Sequence, residues 1–265
     1  MHPKPPFSKP AGGPMVLYDD IGRNYAQFRR PDRRIAAAID AMLGDAATVV
    51  NVGAGAGSYE PADRTVLAVE PSELMIRQRP PGSALCLQGS AEALPVETDS
   101  VDAAMAILTL HHWSDLECGL AEMARVARKR VILLTWVPDG GPYWLTEDYF
   151  PEIAAHDREV FLATANLVAM LERTIGPVEL ASLPIPHDCT DGILGAYWRR
   201  PEFYLDDARR SAMSSFALFD PEPGLARLRA DLASGRWHER NRRLLGQDAL
   251  DLGYRIVRCD VSASR

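Results

Sequence analysis

Residues Thr48 to Gly57 read TVVNVGAGAG, an apolar run that passes directly into a G-x-G-x-G turn. A short β-branched run bounded by turn residues predicts a buried strand. Glycines immediately behind it let the backbone bend sharply and come within van der Waals contact of a ligand, which a β-carbon would prevent. Further apolar runs follow at Thr65 to Val69, Ala84 to Leu87, Val101 to Leu108 and Arg130 to Trp136. Runs without polar alternation need cover on both faces of a sheet. Helices supply that cover: one between Asp32 and Gly44 with Ile35, Ile39, Met42 and Leu43 on one face, and one opened by Ser114 and Glu117 as a capping box, with Leu116, Leu120, Met123 and Ala127 inward. Alternating strand and helix predicts an α/β fold, a doubly wound, mostly parallel sheet.

Beyond Trp136 the alternation stops. Asp157 to Ile175 reads as one long helix with Phe161, Ala165, Val168 and Leu171 inward, closed by Gly176 and Pro177. Strands at Val178 to Ile185 and Tyr254 to Cys259 bring the sheet to seven. The expected organisation is a disordered tail over 1–14, an α/β domain over 15–188 that includes an N-terminal flap, and a helical lid over 189–247. The last strand and a tail follow over 248–265, and Met15 is a second candidate start. The lid is aromatic and arginine-rich, with Leu225, Leu228 and Leu232 at helical spacing.

The 265 residues, 47% hydrophobic and 25% charged, have the composition of an ordinary globular protein. With 36 acidic against 29 basic residues the net charge is −7, and no basic block marks a nucleic-acid partner. No apolar run is long enough for a membrane span, and no apolar core marks an export signal, so a cytoplasmic protein with a small-molecule partner is expected. The oligomeric state stays open. Four cysteines, Cys86, Cys118, Cys189 and Cys259, at unpatterned spacings read as reduced thiols, and no histidine spacing suggests a metal.

Glu70 ends the second strand, where a carboxylate can accept hydrogen bonds from both hydroxyls of a ribose. A nucleoside-containing ligand is therefore expected. A dinucleotide site wants a third glycine where Ser58 stands, and Pro61 stunts the helix that would hold a pyrophosphate. A cofactor without phosphate needs only the backbone approach and the acid.

In this order and spacing the motifs resemble those of the class I S-adenosylmethionine-dependent methyltransferases, in the small-molecule branch. The likeness runs by motif from about Tyr18 to Trp136. It implies a Rossmann-like methyltransferase fold with S-adenosylmethionine as cofactor and S-adenosylhomocysteine as product. By resemblance, Asn51, Gly53, Ala54, Gly55 and Gly57 cup the methionine part of the cofactor, and Glu70, Pro71 and Met75 hold the ribose and flank the adenine. Ser90, Ala91 and Glu92, within GSAEALP, line the adenine edge. Ile107 and Leu108, leading into LHHWSD, face the reactive end. Tyr18, Tyr25 and Arg30, within YDDIGRNYAQFRR, resemble a flap that closes over the cofactor. The chain departs from the family where Asn51 and Ser90 stand in place of frequent acids, and where Arg128, Lys129 and Arg130 replace a proline-glycine turn.

Methyl transfer from a sulfonium asks the protein mainly to align an acceptor and exclude water, with a base where the acceptor is an oxygen or nitrogen carrying a proton. His111, His112 and His187 are the candidate catalytic bases. Trp136, Asp188, Tyr197, Trp198 and Arg199 are candidate substrate-binding residues. The expected activity is methyl transfer to a small molecule at oxygen or nitrogen. The alternatives are an enzyme that keeps the cofactor as structure while catalysing a reaction such as cyclisation, or a non-catalytic binding protein.

Overall fold

The computed structural model describes residues 25–262. Tyr18, the side chain of Tyr25 and the tail over 1–14 lie outside the described residues. In chain order the strands are β1 (Thr48–Val52), β2 (Thr65–Glu70), β3 (Leu85–Gln88), β4 (Val101–Ile107), β5 (Ala127–Trp136), β6 (Val178–Ser182), β7 (Ile185–Pro186), β8 (Ala249–Leu250) and β9 (Tyr254–Asp260). Seven of them form one sheet in the order β3-β2-β1-β4-β5-β9-β6, while β7 and β8 pair separately. The first five are parallel, and β9 runs antiparallel to both β5 and β6. The expected sheet is therefore present. Between β1 and β4 the order of winding reverses, so the loops after these strands diverge and leave a crevice at their carboxyl ends.

Helix α1 (Arg33–Leu43) buries Ile35, Ile39 and Leu43 at a four-residue spacing, with the Asp32 carboxylate capping the Arg34 amide and Gly44 ending it at φ +53°. A single turn and a half, α2 (Glu73–Arg77), follows β2. On the other face lie α3 (Leu116–Val126) and, after α4 (Pro151–Val160), α5 (Thr164–Thr174). Alternation along each strand feeds the two faces. Ile132 and Leu134 of β5 join the core beneath α1, and Val131 and Leu133 join the core beneath α3 and α5.

Several local expectations give way to tertiary contacts. The N-cap of α3 is Asp115, whose carboxylate accepts from Cys118 N, while Ser114 donates to Glu92. This helix ends at Val126, and β5 begins at the next residue, so Ala127 and Arg128 to Arg130 belong to a strand. Asp157 to Ile175 is not one helix. Phe161 turns extended and sends its ring between Trp136, at 5.2 Å, and His111, at 4.9 Å. Asp139 then takes hydrogen bonds from Thr164 N (3.0 Å) and Oγ1 (2.9 Å), restarting the chain as α5. With that restart Leu167 and Leu171 are buried and Ala165 is exposed.

The segment 189–247 is built from short helical turns and one longer helix, α6 (Glu222–Ala233), which buries Leu225 and Leu228. Trp198, Tyr204, Phe216 and Trp237 of this segment join the same core as α1 and β5. Through these side chains it packs as a cap continuous with the sheet's core. Among the described residues no helix is long and apolar enough to cross a membrane.

Asp102 ties the start of β4 to the start of β1, accepting from Ala47 N (2.9 Å), Thr48 N (3.1 Å) and Arg128 (3.0 Å). Asp102→Ala removes the shared acceptor of the Ala47 and Thr48 amides and of Arg128 and is expected to cost on the order of 1 kcal/mol. A lowered urea midpoint at an unchanged m-value is the expected result, and an unmoved midpoint would remove this role.

Candidate active site

The loop after β1 carries Gly53, Gly55 and Gly57 at φ +66°, +53° and +92°, a backbone that side chains disfavour. A β-carbon on Gly53 would lie 2.3 Å from Thr109 Oγ1, so glycine there lets the ends of β1 and β4 close together. Glu70, 6% exposed, holds the loop in place. Its Oε2 accepts from Gly55 N at 2.8 Å and its Oε1 from Ser72 N at 2.9 Å. Each oxygen keeps a second acceptor position, which can take a ligand hydroxyl. Burial pushes this carboxyl above its ordinary range, against the pull of the two amides.

Beneath the loop, Asn51 donates to Glu60 Oε1 at 3.1 Å. Glu60 in turn holds Arg79 at 2.8 and 2.7 Å. Arg79 reaches Gly55 O at 3.4 Å. Asn51, where the resemblance leads one to expect an acid, thus reaches an acid inside the loop.

Above the loop a crevice of about 210 Å³ gathers most of the expected cofactor residues. Gly53, Gly55, Glu70, Pro71 and Met75 form one side, and Ser90, Ala91, Glu92, Ile107 and Leu108 the other. Asn51, Ala54 and Gly57 support the loop from outside this lining. Ser72, Thr109, His112, Trp113 and Ser114 complete the wall; Thr109 lies outside the motifs read from sequence. Leu108 has φ +54°, a strained conformation for leucine, and its amide is held by Leu134 O at 2.7 Å. Arg30 is exposed and donates to Gln27 O, so the arginine facing inward is its neighbour Arg29, which grips the buried Asp191 at 2.6 Å. Nothing in the sequence distinguishes the two.

A second cavity of about 1010 Å³ adjoins the crevice. Leu108, His112, Trp113 and Ser114 line both spaces. His111, Trp136, Phe161, Tyr143 and Tyr254 give the larger one an aromatic wall. The His111 and His112 rings lie 3.7 Å apart. Burial and the positive charge of Arg29 push His112 down to about 4, and burial, His112 and Arg29 push His111 lower as well. Both imidazoles are neutral near pH 7. Asp157, on the inner face of α4, is 7% exposed and lines the same cavity. Burial alone raises its carboxyl to about 7. Among the described residues no donor bonds its side chain; the sequence reading missed it because a lone Asp in a helix carries no motif.

Other expected site residues lie elsewhere. His187 sits beside β7, its amide bonded to Asp248 O, and lines neither cavity. Asp188 is exposed and paired with Arg34 at 2.7 Å. Tyr197 and Trp198 are core residues. Trp198 donates to Ile185 O at 2.9 Å and its carbonyl accepts from Trp144 at 2.9 Å, while Tyr197 packs on Phe203. Arg199 donates to Gln247 O on the outside. Large aromatics so close to a sheet edge are drawn into the core because they cover more apolar area there than at a cavity rim. Of the expected substrate residues, Trp136 alone lines the cavity. Among the described residues no group of three His, Cys, Asp or Glu could hold a metal ion.

Residues 50–135 match the family model of a methyltransferase domain. A candidate methyltransferase from an antibiotic biosynthesis pathway of Anabaena variabilis is 35% identical in sequence, over 88% of this chain and 99% of that one, with a TM-score of 0.82. Two more distant structures share the fold. Phosphoethanolamine N-methyltransferase 2 of Haemonchus contortus, in complex with S-adenosyl-L-methionine, is 14% identical over 97% of this chain and 61% of that one, with a TM-score of 0.58. Geranyl diphosphate C-methyltransferase of Streptomyces coelicolor, in complex with Mg2+, geranyl diphosphate and S-adenosyl-L-homocysteine, is 15% identical over 87% and 77%, with a TM-score of 0.51. No functionally curated protein matches the sequence.

The raised carboxyl of Asp157 makes a prediction of definite sign. Between pH about 4 and about 7 the folded state holds a proton there that the unfolded state has released, so this residue's contribution to stability falls as pH rises through that window. Asp157→Asn escapes that loss. Above pH about 7 the variant is expected to be more stable than the parent by on the order of 3 kcal/mol, and near pH 4 to match it. Urea titrations of both proteins across this range test it, and a difference that does not change with pH would show an unshifted carboxyl.

Proposed function

The chain belongs to the class I S-adenosylmethionine-dependent methyltransferases, and on that premise we propose that it methylates an oxygen or nitrogen of a small molecule held in the larger cavity. The observation that carries this reading is the junction at Leu108, His112, Trp113 and Ser114, where a nucleoside-sized crevice opens into a cavity of about 1010 Å³. A non-catalytic binding protein would be expected to fill its acceptor space with packed side chains. Among the described residues that space is open.

The residues of the crevice fit the cofactor. The positive-φ glycines expose bare backbone, and the spare acceptor positions of Glu70 suit two ribose hydroxyls. Bound there, S-adenosylmethionine supplies a methyl group already activated by a sulfonium. The protein's part is alignment, exclusion of water and handling of a proton. Trp136 and Phe161, in edge contact, line the cavity. His112, neutral at the junction, can accept a proton from the acceptor. A base this weak takes a proton only from an atom made acidic as it gains the methyl group, which suits oxygen or nitrogen. His111, stacked on Phe161 behind it, is the second candidate.

Two variants test the assignment. Glu70→Ala is expected to weaken S-adenosylhomocysteine binding by about 1 to 3 kcal/mol in isothermal titration; unchanged affinity would take Glu70 out of the ribose site. With labelled donor and a metabolite extract as the source of acceptor, His112→Gln is expected to slow methyl transfer by about 10²- to 10⁴-fold while S-adenosylhomocysteine still binds. Full turnover in that variant would exclude His112 as the base.

A further inference from the structure

A helix that packs against a core normally turns apolar side chains inward, and α4 does so with Ile153. One helical turn later the inward residue is Asp157, 7% exposed. Burying a carboxyl without a partner opposes folding, and a leucine at this position would not incur that penalty. No cation among the described residues lies within ion-pair distance of it. The next residue, Arg158, is exposed and makes no ion pair with it, and Arg29 is bound to Asp191. The carboxylate therefore faces a cavity without a protein counter-charge.

The rest of the wall favours a positive guest. The two histidines at the inner end are neutral and do not repel one. Trp136, Phe161 and Tyr254 present aromatic surface on which a cation is stabilised by the ring quadrupole. The titratable side chains on the lining include three acids, Asp139, Glu147 and Asp157, against Arg29, Arg158 and His156, and Arg29 is ion-paired with Asp191.

We propose that Asp157 determines acceptor specificity by anchoring an ammonium group, so that the enzyme's acceptor is an aromatic or otherwise apolar molecule bearing a cationic amine. The proposal rests on the larger cavity being the acceptor site. An ammonium placed there replaces the missing donor with a charge-assisted hydrogen bond and satisfies the carboxylate at the moment of binding. A neutral alcohol offers one weaker hydrogen bond, and a carboxylate guest is repelled.

Calorimetric titration of the full chain, saturated with S-adenosylhomocysteine, tests this with three probes of one shape: 2-phenylethylammonium, 2-phenylethanol and phenylacetate. The ammonium is expected to bind at least tenfold more tightly than either of the others. Asp157→Asn is expected to abolish that preference while leaving 2-phenylethanol binding unchanged, a selective loss that a merely structural residue would not produce. Parity among the probes, absence of ammonium binding, or a variant that keeps the preference would each overturn the proposal. The preceding titration with S-adenosylhomocysteine reports separately on the methyltransferase reading. If that step fails while the ammonium preference is present, the cofactor assignment falls and the anchor stands.

Discussion

Every feature of the cofactor crevice depends on a carboxylate at the end of β2 that binds two backbone amides. Glu70 reaches Gly55 with one oxygen and Ser72 with the other, so the glycine loop after β1 and the turn after β2 are fastened to a single side chain. The position follows from topology. At the point where the order of winding reverses, adjacent loops leave in opposite directions and expose strand ends that would otherwise be covered. Glycine at 53 lets β1 and β4 close to contact distance there, and Asn51, Glu60 and Arg79 brace the loop from below. A rigid backbone cradle results, with acceptor capacity left over on the acid that shapes it.

The larger cavity shows the opposite economy. A fold selected for stability alone would fill about 1010 Å³ with side chains and would not leave a carboxyl buried without a donor. Here His111 and His112 are kept from protonating, Leu108 is held in a strained conformation, and Asp157 faces open space. Each departs from what folding favours, and all four line the same cavity. Unfavourable local states gathered on one surface are what a binding and reaction site requires, since a ligand can relieve them.

The motif-bearing half of the site was legible from the chain order, because its chemistry is backbone chemistry. A glycine must stand where φ is positive or space is lacking, and a strand-terminal acid must follow at a spacing set by one crossover. Gly53, Gly55, Glu70, Met75, Ser90 and Leu108 could therefore be named from sequence, and they line one crevice. The residues expected around the larger cavity were only partly legible. Arg30 and Arg29 are adjacent and chemically identical, and only the bridge to Asp191 decides which one turns inward. Tyr197 and Trp198 read equally well as cavity wall or core, and their hydrogen bonds to backbone and cap residues settle them as core. The break before α5 is set by the distant Asp139, and Glu92 draws Ser114 away so that the cap of α3 falls to Asp115.

By itself the order of residues determined the strand sequence, the doubly wound architecture and the cofactor cradle. These rest on hydrophobic periodicity and backbone sterics, which act between near neighbours and leave a pattern in one dimension. Which side chains share the larger cavity was decided only when α4, the segment after β4 and the C-terminal cap packed together. Burial, and with it the loss of charge on His112 and the isolation of Asp157, is a property of surroundings contributed by distant parts of the chain, so no stretch of sequence contains it.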